Sequence, residues 1–152
     1  MAVHLSNNQR QLKVPGGRLK RAAASALSLL GLGNAELSIT LTGDRKMRLL
    51  NRQYRGVDRT TDVLSFSMLE GETPSPKEME GGPPLSLGDI VISAPQAMRQ
   101  AEEIGHPLED ELKFLMVHGI LHIIGHDHEA GPAEARKMYA KQREVVKLLK
   151  AE

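Results

Sequence analysis

Not one of the 152 residues is a cysteine. That excludes a disulfide scaffold and any metal site built on thiolates, so a bound metal has to rely on histidine and carboxylate. Tryptophan is missing as well, and the aromatic side chains are only Tyr54, Phe66, Phe114 and Tyr139. Four rings argue against an aromatic platform that grips a single strand by its bases. No apolar stretch approaches the roughly 20 residues of a membrane span. The opening residues, Met1 to Ser6, show no basic segment followed by an apolar run, so a secretory signal is not expected there and a cytoplasmic location is.

What is present suits one compact α+β domain over residues 1–152. The chain is 40% hydrophobic and 26% charged, ordinary globular proportions that argue against wholesale disorder. The net charge of +1 hides an asymmetry, because six of the 20 basic residues but only one of the 19 acidic ones fall between Arg45 and Arg59. An otherwise mildly acidic protein therefore carries one basic segment.

Periodicity divides the chain into about four strands and about five helices, with helices dominating the second half. Val3 to Leu5 reads as a short edge strand. Pro15 opens a helix with Leu19, Ala22, Ala23, Ala26, Leu27 and Leu30 on one face, ended by Gly31 or Gly33. Glu36 to Leu41 alternates as a strand. Asp44 is the expected N-cap of a helix that runs to Arg55 and stops at Gly56. Asp62 to Met68 reads as a strand with Leu64, Phe66 and Met68 on one face. Residues 69–86, rich in Pro, Gly and Glu, read as an exposed flexible loop. Leu87 to Ile92 is a short buried strand, and Ser93 caps a helix that ends near Gly105. Pro107 opens a helix that is apolar on nearly every side and hence buried. Pro132 starts the last helix, with Ala135, Met138, Tyr139, Gln142, Val146 and Leu149 facing inward.

Four of the six histidines lie close together, in the run His118-Gly119-Ile120-Leu121-His122-Ile123-Ile124-Gly125-His126-Asp127-His128. Helical residues four apart point within about 40° of one another, so His118 and His122 can aim at one point near the end of the buried helix. A third ligand cannot come from a straight continuation. His126 would then stand about 12 Å along the axis from His118, whereas all ligand nitrogens must lie about 2.0–2.1 Å from one zinc ion. The chain must turn back, and Gly125 supplies the turn. Spacing alone leaves His126 and His128 as alternatives. The histidine spacing of the metzincin zinc motif, with a glycine three residues before the third histidine, favours His128. The glutamate that serves as base in that motif is Gly119 here, so the cage of a metallopeptidase is present without its base. Three protein ligands leave one tetrahedral position open, as in catalytic zinc sites. Asp127 is either a partner that orients a ligand imidazole or a solvated turn residue.

On the helix from Asp44, the residues Arg45, Arg48, Arg52 and Arg55 fall within a sector of about 80°, opposite Met47, Leu50 and Tyr54. Guanidinium groups bind phosphates bidentately, and no glutamates interrupt the stripe, which suggests a phosphodiester substrate for the histidine site.

Three motifs, taken in order, resemble the YbeY family of bacterial endoribonucleases and rRNA maturation factors. They are the histidine run from His118 to His128; Asn51, Tyr54, Arg55 and Gly56 leading into Thr61-Asp62-Val63-Leu64-Ser65-Phe66; and Leu87-Gly88-Asp89-Ile90. The likeness spans about residues 35 to 150, and departs from the family where Thr60 and Ser67 replace a common proline. The resemblance implies one Zn2+ per chain on His118, His122 and His128, and an essential arginine at Arg55. It implies cleavage of single-stranded RNA, with roles in 3′-end maturation of small-subunit rRNA and in ribosome quality control. Arg45, Arg48, Arg52 and Arg59 would then hold flanking RNA phosphates. Two rival classes are a metal-dependent hydrolase of another substrate, such as a peptidase, and a non-catalytic ribosome-associated factor with structural zinc.

Overall fold

A computed structural model of the chain describes residues 3–69 and 85–150. Four strands form one mixed sheet in the order β1-β2-β4-β3, with β1 (Val3–Asn7), β2 (Glu36–Thr42), β3 (Val63–Ser67) and β4 (Ser86–Ser93). β1, β2 and β4 run parallel, and β3 returns antiparallel along β4 as the edge strand. Five helices accompany it: α1 (Gly16–Leu29), α2 (Asp44–Arg55), α3 (Ala94–Ile104), α4 (Leu108–Ile123) and α5 (Pro132–Lys150).

The pleat divides the strands between two cores. Leu37, Ile39 and Leu41 of β2, with Ile90 and Ile92 of β4, join the main core that α1, α4 and α5 close. Leu64 of β3 and Val91 of β4 point to the opposite face, where Met47 of α2 covers them and Leu50 and Phe66 pack alongside. α4 is the central helix, in contact with α1, α3, α5 and the two strands β3 and β4. Its buried residues lie on most sides, as the apolar sequence requires.

Element boundaries follow the local chemistry. α2 ends at Gly56 (φ 70°) and α3 at Gly105 (φ 87°), both left-handed. Ser93 caps α3 by accepting from the Gln96 backbone N–H at 3.4 Å. Asp44 does not cap α2; Gly43 holds that position and Asp44 is the first helical residue. Its carboxylate is drawn away from the helix end, accepting from Ser93 Oγ at 2.8 Å and Thr60 Oγ1 at 3.1 Å, with Arg99 at 2.8 Å. Met68 lies beyond β3 and is exposed, so it does not share the buried face of Leu64. Of the loop read over 69–86, residues 70–84 lie outside the described residues. Leu69 and Leu85 pack partly against the main core, and Ser86 already belongs to β4.

Candidate active site

The histidines sit where α4 ends over β3. Gly119 is buried against β4, and a β-carbon there would meet Ile90 Cδ1 at 2.9 Å, so at this point only the Ile90 side chain stands between helix and sheet. Across the ladder Ile90 pairs with Ser65. One helical turn from His118, His122 reaches that serine, with its Nδ1 3.0 Å from Ser65 Oγ. His118 looks the other way, its Nδ1 3.4 Å from Gln142 Oε1 on α5.

After Ile123 the chain reverses. Gly125 takes φ 111°, and the His126 N–H closes the helix on the Leu121 carbonyl at 3.0 Å. The turn brings His128 back, its ring 5.1 Å from that of His118, with Tyr139 of α5 beside both. A cleft of about 570 Å³ is lined by His118, His122 and His128 together with Arg55, Asp62, Ser65, Glu129 and Tyr139. His126 does not line it.

The donor set fits a cation that takes neutral imidazoles. Burial pushes His118 below its ordinary pKa, against the opposing Gln142 hydrogen bond and the nearby Asp62 carboxylate. His128 Nδ1 is buried with no hydrogen-bond partner among the described residues, an orphaned ring nitrogen at the cleft. In this conformation no three His, Cys, Asp or Glu side chains among the described residues converge on one point, so ligation by these three asks for rotation of their side chains.

The other expected site residues separate. Arg55 lines the cleft, 3.5 Å from Glu129 Oε1. Arg45, Arg52 and Arg59 are exposed and stand outside the cleft lining. Arg48 is engaged within its own chain, clamping Asp58 through Nε at 2.9 Å and Nη2 at 3.2 Å. Asp127 turns its carboxylate to the Glu129 backbone N–H at 2.9 Å, which shapes the turn carrying His128 and leaves the imidazoles to other partners. Ser65, Asp62, Glu129 and Gln142 also stand at the site without having been expected there, although Asp62 and Ser65 belong to the Thr61–Phe66 motif. Glu129 adjoins His128 in the chain, which was a signal available and unused; Gln142 was read only as a core residue.

Comparison with known proteins decides the family. A family model described as Endoribonuclease YbeY matches residues 4–150. The chain belongs to the YbeY family. It is similar to the Endoribonuclease YbeY of Geobacter metallireducens, 46% identical with 100% of this chain and 98% of that protein covered. It is also similar to that of Aquifex aeolicus, 46% identical with 93% and 89% covered. A Thermotoga maritima protein solved in solution shares the fold, with a TM-score of 0.65 over 97% of this chain and 88% of that one at 24% identity.

Proposed function

We propose that the cleft is the active site of a zinc-dependent endoribonuclease that cuts single-stranded RNA, with one Zn2+ per chain on His118, His122 and His128. The observation that carries this reading is that three imidazoles, from α4 and the following turn, line one cleft with Arg55 in a chain of an endoribonuclease family. The donor set suits zinc, because neutral imidazole is a preferred ligand and burial keeps His118 neutral.

A zinc ion held there supplies Lewis acidity toward a phosphate oxygen. Arg55, at the rim of the same cleft, offsets the negative charge that builds on the phosphate in the transition state. Two carboxylates line the cleft, and their surroundings divide their roles. Asp62 is occupied, accepting from the Val63 N–H at 2.7 Å, Thr61 Oγ1 at 3.3 Å and Gln100 Nε2 at 3.2 Å. Glu129 is exposed, with Arg55 and His128 near it, and takes the proton of the attacking hydroxyl as the hydroxyl oxygen bonds to phosphorus, while the bond to the departing oxygen breaks and that oxygen gains a proton from water. Arg45, Arg52 and Arg59 hold flanking phosphates. The corresponding cellular task is 3′-end processing of small-subunit rRNA on or near the ribosome, in the cytoplasm; no described helix is long and apolar enough to cross a membrane.

The peptidase alternative loses support at Gly119, since a glycine supplies no carboxylate base and a Cβ at that position would collide with the Ile90 side chain. The test is to incubate zinc-loaded protein with labelled single-stranded RNA and, separately, with casein. RNA cleavage that disappears in His118→Ala is expected. Casein hydrolysis, or ribosome binding with no cleavage of either polymer, would overturn the reading.

A further inference from the structure

Gln142 is a polar side chain with no exposure at all, on a helix whose neighbouring inward positions, Met138, Val145 and Leu149, are apolar. A buried amide needs partners for both ends. Its Nε2 donates to the Phe114 carbonyl of α4 at 3.2 Å, and its Oε1 faces His118 Nδ1 at 3.4 Å. The carbonyl settles which way the amide lies, because a carbonyl only accepts and the amide NH2 must face it. Oε1 therefore faces the imidazole, and as a pure acceptor it requires the ring proton to sit on Nδ1. The other nitrogen, Nε2, then carries a bare lone pair. The contrast with His122 is instructive: its neighbour Ser65 Oγ both donates and accepts, so that contact fixes ring orientation without fixing a tautomer.

We propose that Gln142 is the positioning residue of this site: it holds His118 as the Nδ1–H tautomer, leaving Nε2 to the cleft. The consequence for metal affinity rests on the zinc reading above, whereas the tautomer itself does not. In the free protein the neutral ring is poised without a search over proton positions, and in the loaded protein the hydrogen bond raises the basicity of the ligating nitrogen. The residue acts from 24 positions away in the chain and touches no substrate.

The experiment is nitrogen NMR of metal-free protein labelled at histidine, followed by titration with zinc alone. Wild type should show His118 protonated at Nδ1 and bare at Nε2. Gln142→Met keeps a buried chain of similar length but no acceptor, so His118 should become a mixture of tautomers and the zinc dissociation constant should rise about 10- to 100-fold. Gln142→Glu, as the neutral acid whose O–H takes the place of the amide N–H on the Phe114 carbonyl, returns an acceptor to His118 and should recover the Nδ1–H form, which also covers the case of a Met variant that folds poorly. A wild-type ring protonated at Nε2 would overturn the proposal, as would a folded Met variant whose tautomer is unchanged. Wild type that shows the Nδ1–H form yet binds no zinc supports the role of Gln142 and sinks the zinc reading instead.

Discussion

Gly119 rests against Ile90 so closely that a β-carbon on the glycine would stand 2.9 Å from Ile90 Cδ1 and 3.1 Å from Cγ1 and Cγ2. Two effects compete on substitution. Alanine favours a helix interior over glycine by about 1 kcal/mol, while forcing a methyl into a packed core costs about 1–3 kcal/mol. The branched Ile90 side chain is stiff and fully buried, so overpacking wins. Gly119→Ala should lower stability in a denaturant titration. Ile90→Val removes Cδ1, the nearest atom, and should make the alanine cheaper in the double variant than in the single one. Strictly additive losses would mean that the two side chains do not collide.

The choice among histidines is next. His118, His122 and His128 line the cleft and His126 does not. Each of the first three, replaced by alanine, should lower the zinc content of purified protein well below one per chain, and His126→Ala should leave it unchanged. Elemental analysis that finds His126 necessary and His128 dispensable would reverse the assignment of the third ligand.

Much of this was legible beforehand, for a physical reason. Helix and strand periods, Gly56 and Gly105 as stops, and Ser93 as a cap are local features, settled by residues within a few positions of one another. The return of the chain at Gly125 was local too, which is why the histidine run could be read as a site. Contacts across elements were not legible. Asp44 had the chemistry of an N-cap, but Thr60, Ser93 and Arg99 offered its carboxylate stronger partners. Arg48 fell on a stripe of cations, yet Asp58 lies only ten residues away and takes both arms of its guanidinium. Ser65 and Gln142 approach the histidines from other elements, and no spacing rule connects them.

The partners of Asp44 imply an acid-sensitive joint between α2, α3 and the start of β3. Burial alone would raise its pKa, but hydrogen bonds from Ser93, Arg99 and Thr60 together with the Arg99 charge outweigh it, so the folded value lies below the ordinary one. The sign follows from linkage. A depressed carboxylate stabilises the fold above its unfolded pKa of about 3.9 and loses that contribution as pH falls through the lower folded value. Stability of wild type should therefore fall more steeply below about pH 4 than that of Asp44→Asn, which starts lower at neutral pH. Parallel acid-unfolding curves for the two proteins would remove Asp44 from the account.

The arginines should separate by what already holds them. Arg48 clamps Asp58, whereas Arg52 and Arg45 are exposed cations of the same helix. Arg52→Ala or Arg45→Ala should weaken binding of single-stranded RNA and lower its salt slope by about 0.7 per lost phosphate contact. Arg48→Ala should do less, because its guanidinium is already committed to Asp58 and holds no phosphate contact to lose. Equal effects from all three would show that RNA displaces the Asp58 pair.

Arg55 and Glu129 are neighbours across the mouth of the cleft, with guanidinium and carboxylate 3.5 Å apart and each about half exposed or more. An exposed pair of this kind contributes little to stability, so neither side chain is there to hold the fold together. If Arg55 meets charge that develops only in the transition state, its removal should appear in turnover rather than in binding. Arg55→Lys keeps the charge but loses the planar fork, and should recover only part of the rate. Glu129→Gln keeps the shape of the side chain and cannot accept a proton; it should slow cleavage by about 10²- to 10⁴-fold while zinc content and melting temperature stay near wild type. Single-turnover cleavage of a single-stranded RNA at saturating enzyme, beside a binding titration of the same RNA, separates the cases. Normal cleavage at saturation with weaker binding would make Arg55 one more phosphate anchor. An unchanged rate in Glu129→Gln would pass the proton to another group, and Asp62, already bound on both carboxylate oxygens, would have to give up a partner to receive it.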